Sequence, residues 1–319
     1  MEGTTMKRLF KTALCLLLCA LFTLPALAEE GEEMEERTCG DYTYVLLEDG
    51  GARITGYDGE DAELTVPDEL DGHPVREIGE RAFYWCDALA NVTLPDSLTF
   101  IGKSAFFNCA ALTAITLPEG LTTTSDGAFA YCYALTSITL PGSLTSIGDH
   151  SFYGCGSLTS VTLPVGLTSI GDDAFFKCSF LTSVTLPDGL TSIGANPFRG
   201  CDSLAKIDVS PDHPVFAQID GVLYEKESKT LICYPAGKAG DSFAVPEGTL
   251  AIGDYAFSFC DALTTIMLPE GLTSISDFAF WDCPDDLTLT VPRDSYARQY
   301  AIDNSLSYTY PDVNDWLNA

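Results

Sequence analysis

Thiols are the most reactive side chains this chain carries in number, and they are evenly spaced. Cys86, Cys109, Cys132, Cys155, Cys178 and Cys201 follow one another at steps of 23 residues, and Cys260 and Cys283 resume the same step. Cysteines can bridge, hold a metal as thiolates, or fill space as small apolar groups. Zinc requires C-x-x-C or Cys/His clusters, and the sequence has none. A constant step stacks equivalent side chains in parallel, about 4.8 Å apart, so the sulfurs are not aimed at one another. Buried free thiols are therefore expected, with Cys39, near an acidic stretch, accessible.

Other chemistry is thin. The histidines are His73, His150 and His213, far apart in sequence, and each is expected at the surface or in a turn. No G-x-S-x-G, H-E-x-x-H or glycine-rich phosphate loop occurs, and abundant Ser and Asp do nothing without a base beside them. A column of carboxylates (Glu80, Asp126, Asp149, Asp172, Asp254 and Asp277) stands three residues before a repeated Phe. One carboxylate per repeat falls short of the six to eight oxygens calcium takes, so these residues are expected to cap N–H groups of a turn. Neither catalytic residue, metal ligand nor cofactor is assigned.

The variable positions that follow the repeated Phe are more informative. They carry Tyr84, Trp85, Phe107, Tyr131, Tyr153, Phe176, Phe259 and Trp281, with Tyr133 and Phe180 just beyond. Two readings compete. The rings pack across neighbouring repeats and are half buried, or they form an exposed stripe that anchors a partner.

Elements that position these columns are legible in one phrase, ITLPGSLTSIGDHSFYGCGSLTS, from Ile138 to Ser160. In the next copy Val161 and Leu163 alternate with Ser160 and Thr162, a strand with one face inward, and Pro164 ends it. Pro-x-Gly turns the chain, a second extended piece follows from Leu167 to Ile170, and an A-F-x-x-C turn closes the unit. Copies start at Ile78, Ile101, Thr124, Ile147, Ile170, Ile193 and Ile252, with a partial one at Ile275. Repetition at this period marks a solenoid, each copy being one coil. The Phe column from Phe83 to Phe280 is then the expected spine of the core. Outward strand positions are mostly Ser and Thr, which suits a half-exposed sheet; an ice-binding threonine ladder is a remote alternative.

The organisation predicted is a signal peptide at 1–28, an acidic disordered spacer at 29–38, a β-rich cap at 39–77, repeats over 78–291 and a C-terminal cap at 292–319. The repeats are interrupted between Cys201 and Cys260, where two strand-like runs around Asp220-Gly221 suggest a β-hairpin excursion at about 209–246. The signal rests on Lys7, Arg8 and Lys11, an apolar run from Ala13 to Leu24, and Ala26-Leu27-Ala28 as a cleavage site. Cleavage removes three of 16 basic and one of 46 acidic residues, leaving 13 and 45, a net charge of −32. Such a surface repels nucleic acid and anionic membranes, and no later stretch is long and apolar enough for a membrane helix. Secretion to the exterior or the cell surface is expected, without a visible anchor.

The recurring phrase and both caps resemble the BspA-like leucine-rich repeat family of secreted and surface proteins, over roughly Tyr42 to Tyr310. There is one departure from the general leucine-rich pattern. Its asparagine position holds Ser97, Gly120, Ser143, Gly166, Gly189 and Gly271 here. The resemblance implies an α/β repeat fold: a right-handed leucine-rich-repeat solenoid with a parallel β-sheet, short helical turns, a β-rich cap and a hairpin insertion. It also implies adhesion or protein binding without catalysis. The expected partner is an extracellular protein, with a basic surface matching the charge, or a glycan; contacts are expected at the aromatic positions and at Asp220 to Tyr234. A structural spacer in an extracellular assembly is the alternative.

Overall fold

The computed structural model describes residues 35–311, so the signal peptide, most of the acidic spacer and the last eight residues lie outside the described part. Each coil has three sides, and neighbouring coils bond on all of them. One side is a parallel sheet in 23-residue register, running through Asn91–Thr93, Ala114–Thr116 and Ser137–Thr139. The second is a narrower parallel ladder of Thr123–Thr124, Ser146–Ile147, Ser169–Ile170 and Ser192–Ile193. Between them the Pro-x-Gly turn closes with a bond from the Leu N–H back to the proline carbonyl, as in Leu121 to Pro118 at 3.1 Å and Leu190 to Pro187 at 3.0 Å.

The third side, where short helical turns are expected, is built differently. Turns closed by i→i−3 bonds follow one another, as in Tyr84 N–H to Arg81 O and Cys86 N–H to Phe83 O. The intervening N–H groups cross to the next coil: Arg81 to Lys103 O, Phe83 to Ala105 O and Trp85 to Phe107 O. Helix cannot form here because one or two residues in each of these coils are left-handed. Arg81, Ser104, Gly127, His150, Asp173 and Tyr255 make one such column, with φ from 51° to 60°. Trp85, Asn108, Tyr131, Gly154, Lys177, Gly200, Phe259 and Asp282 make the other, with φ from 54° to 72°. Only an isolated residue takes this conformation, so each one ends a turn instead of propagating a helix.

Inside the coil, Phe83, Phe106, Phe129, Phe152, Phe175 and Phe198 form one file of near-parallel rings, with centroids 4.9–5.6 Å apart. The cap extends this file with Tyr57, 5.3 Å from Phe83. The missing asparagine ladder also has an explanation. Ser97 and Ser143 hydroxyls donate to the Val75 and Leu121 carbonyls of the preceding coil, while a Cβ at Gly120 would lie 2.6 Å from the Leu98 carbonyl oxygen. Cross-coil bonding there uses serine or direct backbone approach.

All ten described cysteines are free thiols, and the mid-array ones are fully buried. From Cys109 onward each ladder thiol donates to the carbonyl of the aromatic residue 26 positions earlier, for example Cys109 to Phe83 at 3.2 Å and Cys178 to Phe152 at 3.3 Å. That carbonyl already accepts an N–H from its own coil, so the thiol takes its second acceptor site. Cysteine is the small apolar residue that also carries a donor. Cys39 is half buried and packed on the core, less open than its place in the sequence implies.

Burial pushes the thiols of Cys155, Cys233 and Cys283 up to about 12, because desolvation penalises the thiolate. Unfolded thiols ionise near pH 8.5, and above that pH the unfolded chain binds fewer protons than the native one. Stability should therefore be insensitive to these thiols below about pH 8. It should then fall between pH 9 and 12 by about 1.4 kcal/mol per pH unit for each such thiol. Denaturant titrations across that range measure the slope. Alkylation at pH 8 should label Cys39 and Cys86 first and the mid-array thiols only after unfolding; rapid native labelling of most of the ladder contradicts this packing.

The interruption is smaller than the spacing implies. Cys201 and Cys260 are 59 residues apart, but Ser242–Ala244 pairs with Thr265–Met267 in the ordinary 23-residue register. Thr230–Cys233 likewise lies parallel to Ala251–Ile252. A whole coil is thus hidden between residues 229 and 251, with Tyr234 in the phenylalanine file, 5.5 Å from Phe257. Only residues 210–228 leave the coil. Within them Phe216–Ile219 and Val222–Glu225 run antiparallel, joined at Asp220 and Gly221, both with positive φ. His213, expected at the surface or in a turn, is fully buried in a turn at the base of this segment. Its Nδ1 accepts from the Val215 and Phe216 N–H groups and its Nε2 faces the Pro187 carbonyl, so the ring bonds only to backbone, while its own carbonyl accepts from the Lys226 ammonium.

Beyond the interruption a second core, from Val222 to Ala301, continues the array. The helix Tyr296–Asp303 closes it, capped by Ser295 and burying Ala297, Tyr300 and Ala301. Among the described residues, no helix is long and apolar enough to cross a membrane.

Candidate interaction surface

The eight candidate rings do not share one environment. Tyr84, Phe107, Tyr131, Tyr153, Phe176 and Phe259 form a continuous file along the third side, each centroid 4.6–5.6 Å from the next. Most are half buried by that contact, and Phe176 is only 5% exposed, which removes it from any binding surface. Trp85, 46% exposed, flanks the beginning of the file, while Trp281, 53% exposed, lies in a later coil. Tyr133 and Phe180 also stand out from the surface.

Backbone geometry adds to this. Trp85, Tyr131 and Phe259 occupy the left-handed column that Gly154 and Gly200 fill in other coils. A large side chain there costs roughly 1 kcal/mol or more relative to glycine. Ring packing offsets that cost at Tyr131, which touches Phe107, Tyr133 and Tyr153. Among the described residues, the one ring contact of exposed Trp85 is with Tyr84, 6.2 Å away.

The carboxylate column bonds between coils. Asp126 accepts from the Asp149 N–H, Asp149 from the Asp172 N–H at 2.8 Å, and Asp172 from the Ala195 N–H at 2.7 Å. Capping is thus directed to the next coil instead of to the residue's own turn. Glycine stands beside these bonds at Gly171 and Gly194, where a Cβ would lie 2.3 Å from the Asp149 carboxylate and 2.2 Å from that of Asp172.

At the hidden coil the file changes character. Leu231 pairs with Ile252, yet Tyr234 aligns with Phe257, so the third side of that coil is two residues short. Its neighbours therefore meet across it: the Asn196 side chain donates to the Tyr255 carbonyl at 2.7 Å, and Phe176 touches Phe259. Arg199 fills the position that other coils give to an aromatic. Its guanidinium lies 4.2 Å from the Phe176 ring and 4.2 Å from the Tyr255 ring, and it makes two bonds to buried Asp173. His150 approaches the same carboxylate at 3.8 Å, and among the described residues no serine hydroxyl is bonded to its ring. The sequence gives no sign of this pair, because Asp173 stands in a column with no common residue and Arg199 replaces a ring.

A model of the BspA-type leucine-rich repeat region matches residues 76–205 and 236–308, in six copies. The chain belongs to the BspA-type leucine-rich repeat family. The two matched stretches flank the interruption, where Tyr234 replaces phenylalanine and the coil is short. A leucine-rich cell surface protein from Faecalibacterium prausnitzii is 26% identical, covering 90% of this chain and 98% of that one, with a TM-score of 0.62. The pneumococcal vaccine antigen PcpA is 27% identical over 81% of this chain and 72% of that one, with a TM-score of 0.67. A leucine-rich repeat protein from Eubacterium ventriosum is 26% identical over 80% and 71%, with a TM-score of 0.60. No curated protein matches the sequence.

Proposed function

We propose that this is a secreted or surface-attached, non-enzymatic repeat protein that binds an extracellular protein. Similarity to a leucine-rich cell surface protein and to a vaccine antigen supports an extracellular setting. The observation that carries binding is the pairing of a rigid ring file with exposed Trp85 beside Tyr84, at a backbone position where glycine would cost less. Tyr and Trp on a rigid support bury large area at little entropic cost, which is how binding hot spots are built. A file whose middle rings are consumed by packing on one another favours the alternative, a spacer, for the stretch from Phe107 to Phe176.

Replacing Tyr84 and Trp85 with Ser, and separately Tyr131 and Tyr153, separates the two. Binding predicts that Tyr84→Ser with Trp85→Ser abolishes capture of partners from extracellular material while thermal unfolding changes by only a few degrees. Tyr131→Ser with Tyr153→Ser should instead lower the unfolding temperature, since those rings pack. Unchanged capture in a stably folded Tyr84→Ser, Trp85→Ser variant overturns the reading.

A further inference from the structure

Arg199 shows what kind of group this face accepts. Along the third side the order is Phe176 ring, Arg199 guanidinium, Tyr255 ring, then Phe278 ring stacked on Tyr255 at 5.4 Å and 13°. The stack ends at Phe278, 45% exposed, with Trp281 set edge-on to it at 5.8 Å and 53% exposed. Asp254, Asp277 and Asp282, each one residue from Tyr255, Phe278 or Trp281, are all exposed. The charge around this end is one-sided. From Ala239 to Pro292 there are nine acidic residues, all exposed, and no Lys, Arg or His. None of the nine takes part in a salt bridge among the described residues. The basic side chains that come next, Arg293 and Arg298, are engaged with Tyr310, one over its ring at 4.3 Å and the other bonded to its hydroxyl at 2.9 Å.

We infer that the Tyr255–Phe278–Trp281 patch with Asp254, Asp277 and Asp282 docks an arginine-bearing segment of a protein partner. A guanidinium on the outer face of Phe278 repeats the arrangement that Arg199 makes between Phe176 and Tyr255 inside this chain, with a carboxylate beside it. Aromatic faces attract cations, and arginine suits them better than lysine because it is planar and weakly hydrated. Nine exposed carboxylates supply long-range attraction, which raises the association rate and falls with salt. Exposed Phe and Trp side by side are poor surface choices for anything but a contact. This rests on the reading that the chain is a binding protein, and adds a second contact region and the chemistry it selects.

The test is calorimetric titration of the secreted chain with an acetylated hexa-arginine peptide, a hexa-lysine peptide and a hexa-citrulline peptide, at low and at physiological salt. The arginine peptide should bind, the citrulline peptide should not, and lysine should be weaker by several-fold. Phe278→Ser with Trp281→Ser should weaken the arginine peptide by about tenfold at unchanged net charge. Asp277→Asn with Asp282→Asn, which keeps the rings, should weaken it and flatten the salt dependence, and this second variant decides the matter if the first fails to fold. Tyr84→Ser with Trp85→Ser should leave this titration unchanged, so failure here and failure of the proposed function are told apart. Equal affinity for arginine and lysine peptides, undiminished by loss of both rings, means attraction by charge alone and overturns the inference. So does absence of arginine-peptide binding at low salt.

Discussion

Truncating Phe152 to alanine should cost on the order of 3–5 kcal/mol, among the largest losses any single side chain here can produce. The ring is fully buried and lies between Phe129 at 5.6 Å and Phe175 at 5.2 Å, with the Cys178 thiol bonded to its carbonyl. Its removal opens a cavity that neither neighbour can fill, because each is held in register by bonds on three sides of its own coil. The stability of a repeat array is close to a sum of coil and interface contributions, so a gap in mid-array also uncouples the two sides. Denaturant unfolding of the variant should show a lower midpoint and a broadened transition. A loss below about 1 kcal/mol would place Phe152 at the surface and contradict the coil phase.

Replacing Arg199 with leucine should cost a comparable amount, about 3–5 kcal/mol, for a different reason. Asp173 and Arg199 are almost wholly shielded, with side chains 12% and 14% exposed, and the guanidinium is held between two rings. Removing the cation leaves a buried carboxylate without its principal partner, which costs more than the pair contributes. The double variant Asp173→Leu, Arg199→Leu should therefore recover most of the loss. Arg199→Lys should not, since an ammonium cannot make the two-bond fork or lie flat between the rings. Equilibrium unfolding of the three variants measures this. A single variant no less stable than the double one would mean that Asp173 is solvated and that the junction does not depend on it.

The coil itself could be read from sequence because its determinants are local and recur. Alternating Val161 and Leu163 put one strand face inward, Pro164 ends the strand, and Phe152 and Cys155, three apart, both turn to the core. What misled was the assumption that a compact A-F-x-x-C segment is helical. Left-handed residues at His150 or Tyr131 carry no sequence mark, since their side chains are not the glycine or asparagine that usually report that conformation. The hidden coil escaped for a related reason. Tyr234 stands in for phenylalanine and Gly237 falls where a 23-residue step back from Cys260 would put a cysteine, so the phrase is absent although Ser242–Ala244 keeps the 23-residue register.

The candidate surface divides along the same line. Sequence alone determined that a large ring follows the repeated Phe in most coils, that eight cysteines share one column, and that the chain is strongly acidic, because composition and period do not depend on neighbours. Whether a given ring is exposed did depend on them. Phe176 is covered because Arg199 and Phe259 close over it, and Trp85 is open because it flanks the start of the file. The acidic column bonds to the following coil, and Arg199 finds its carboxylate 26 residues away. Those partners are set by stacking: exposure and pairing belong to the contact between one coil and the next, and a 23-residue period specifies that contact only while every coil is the same length.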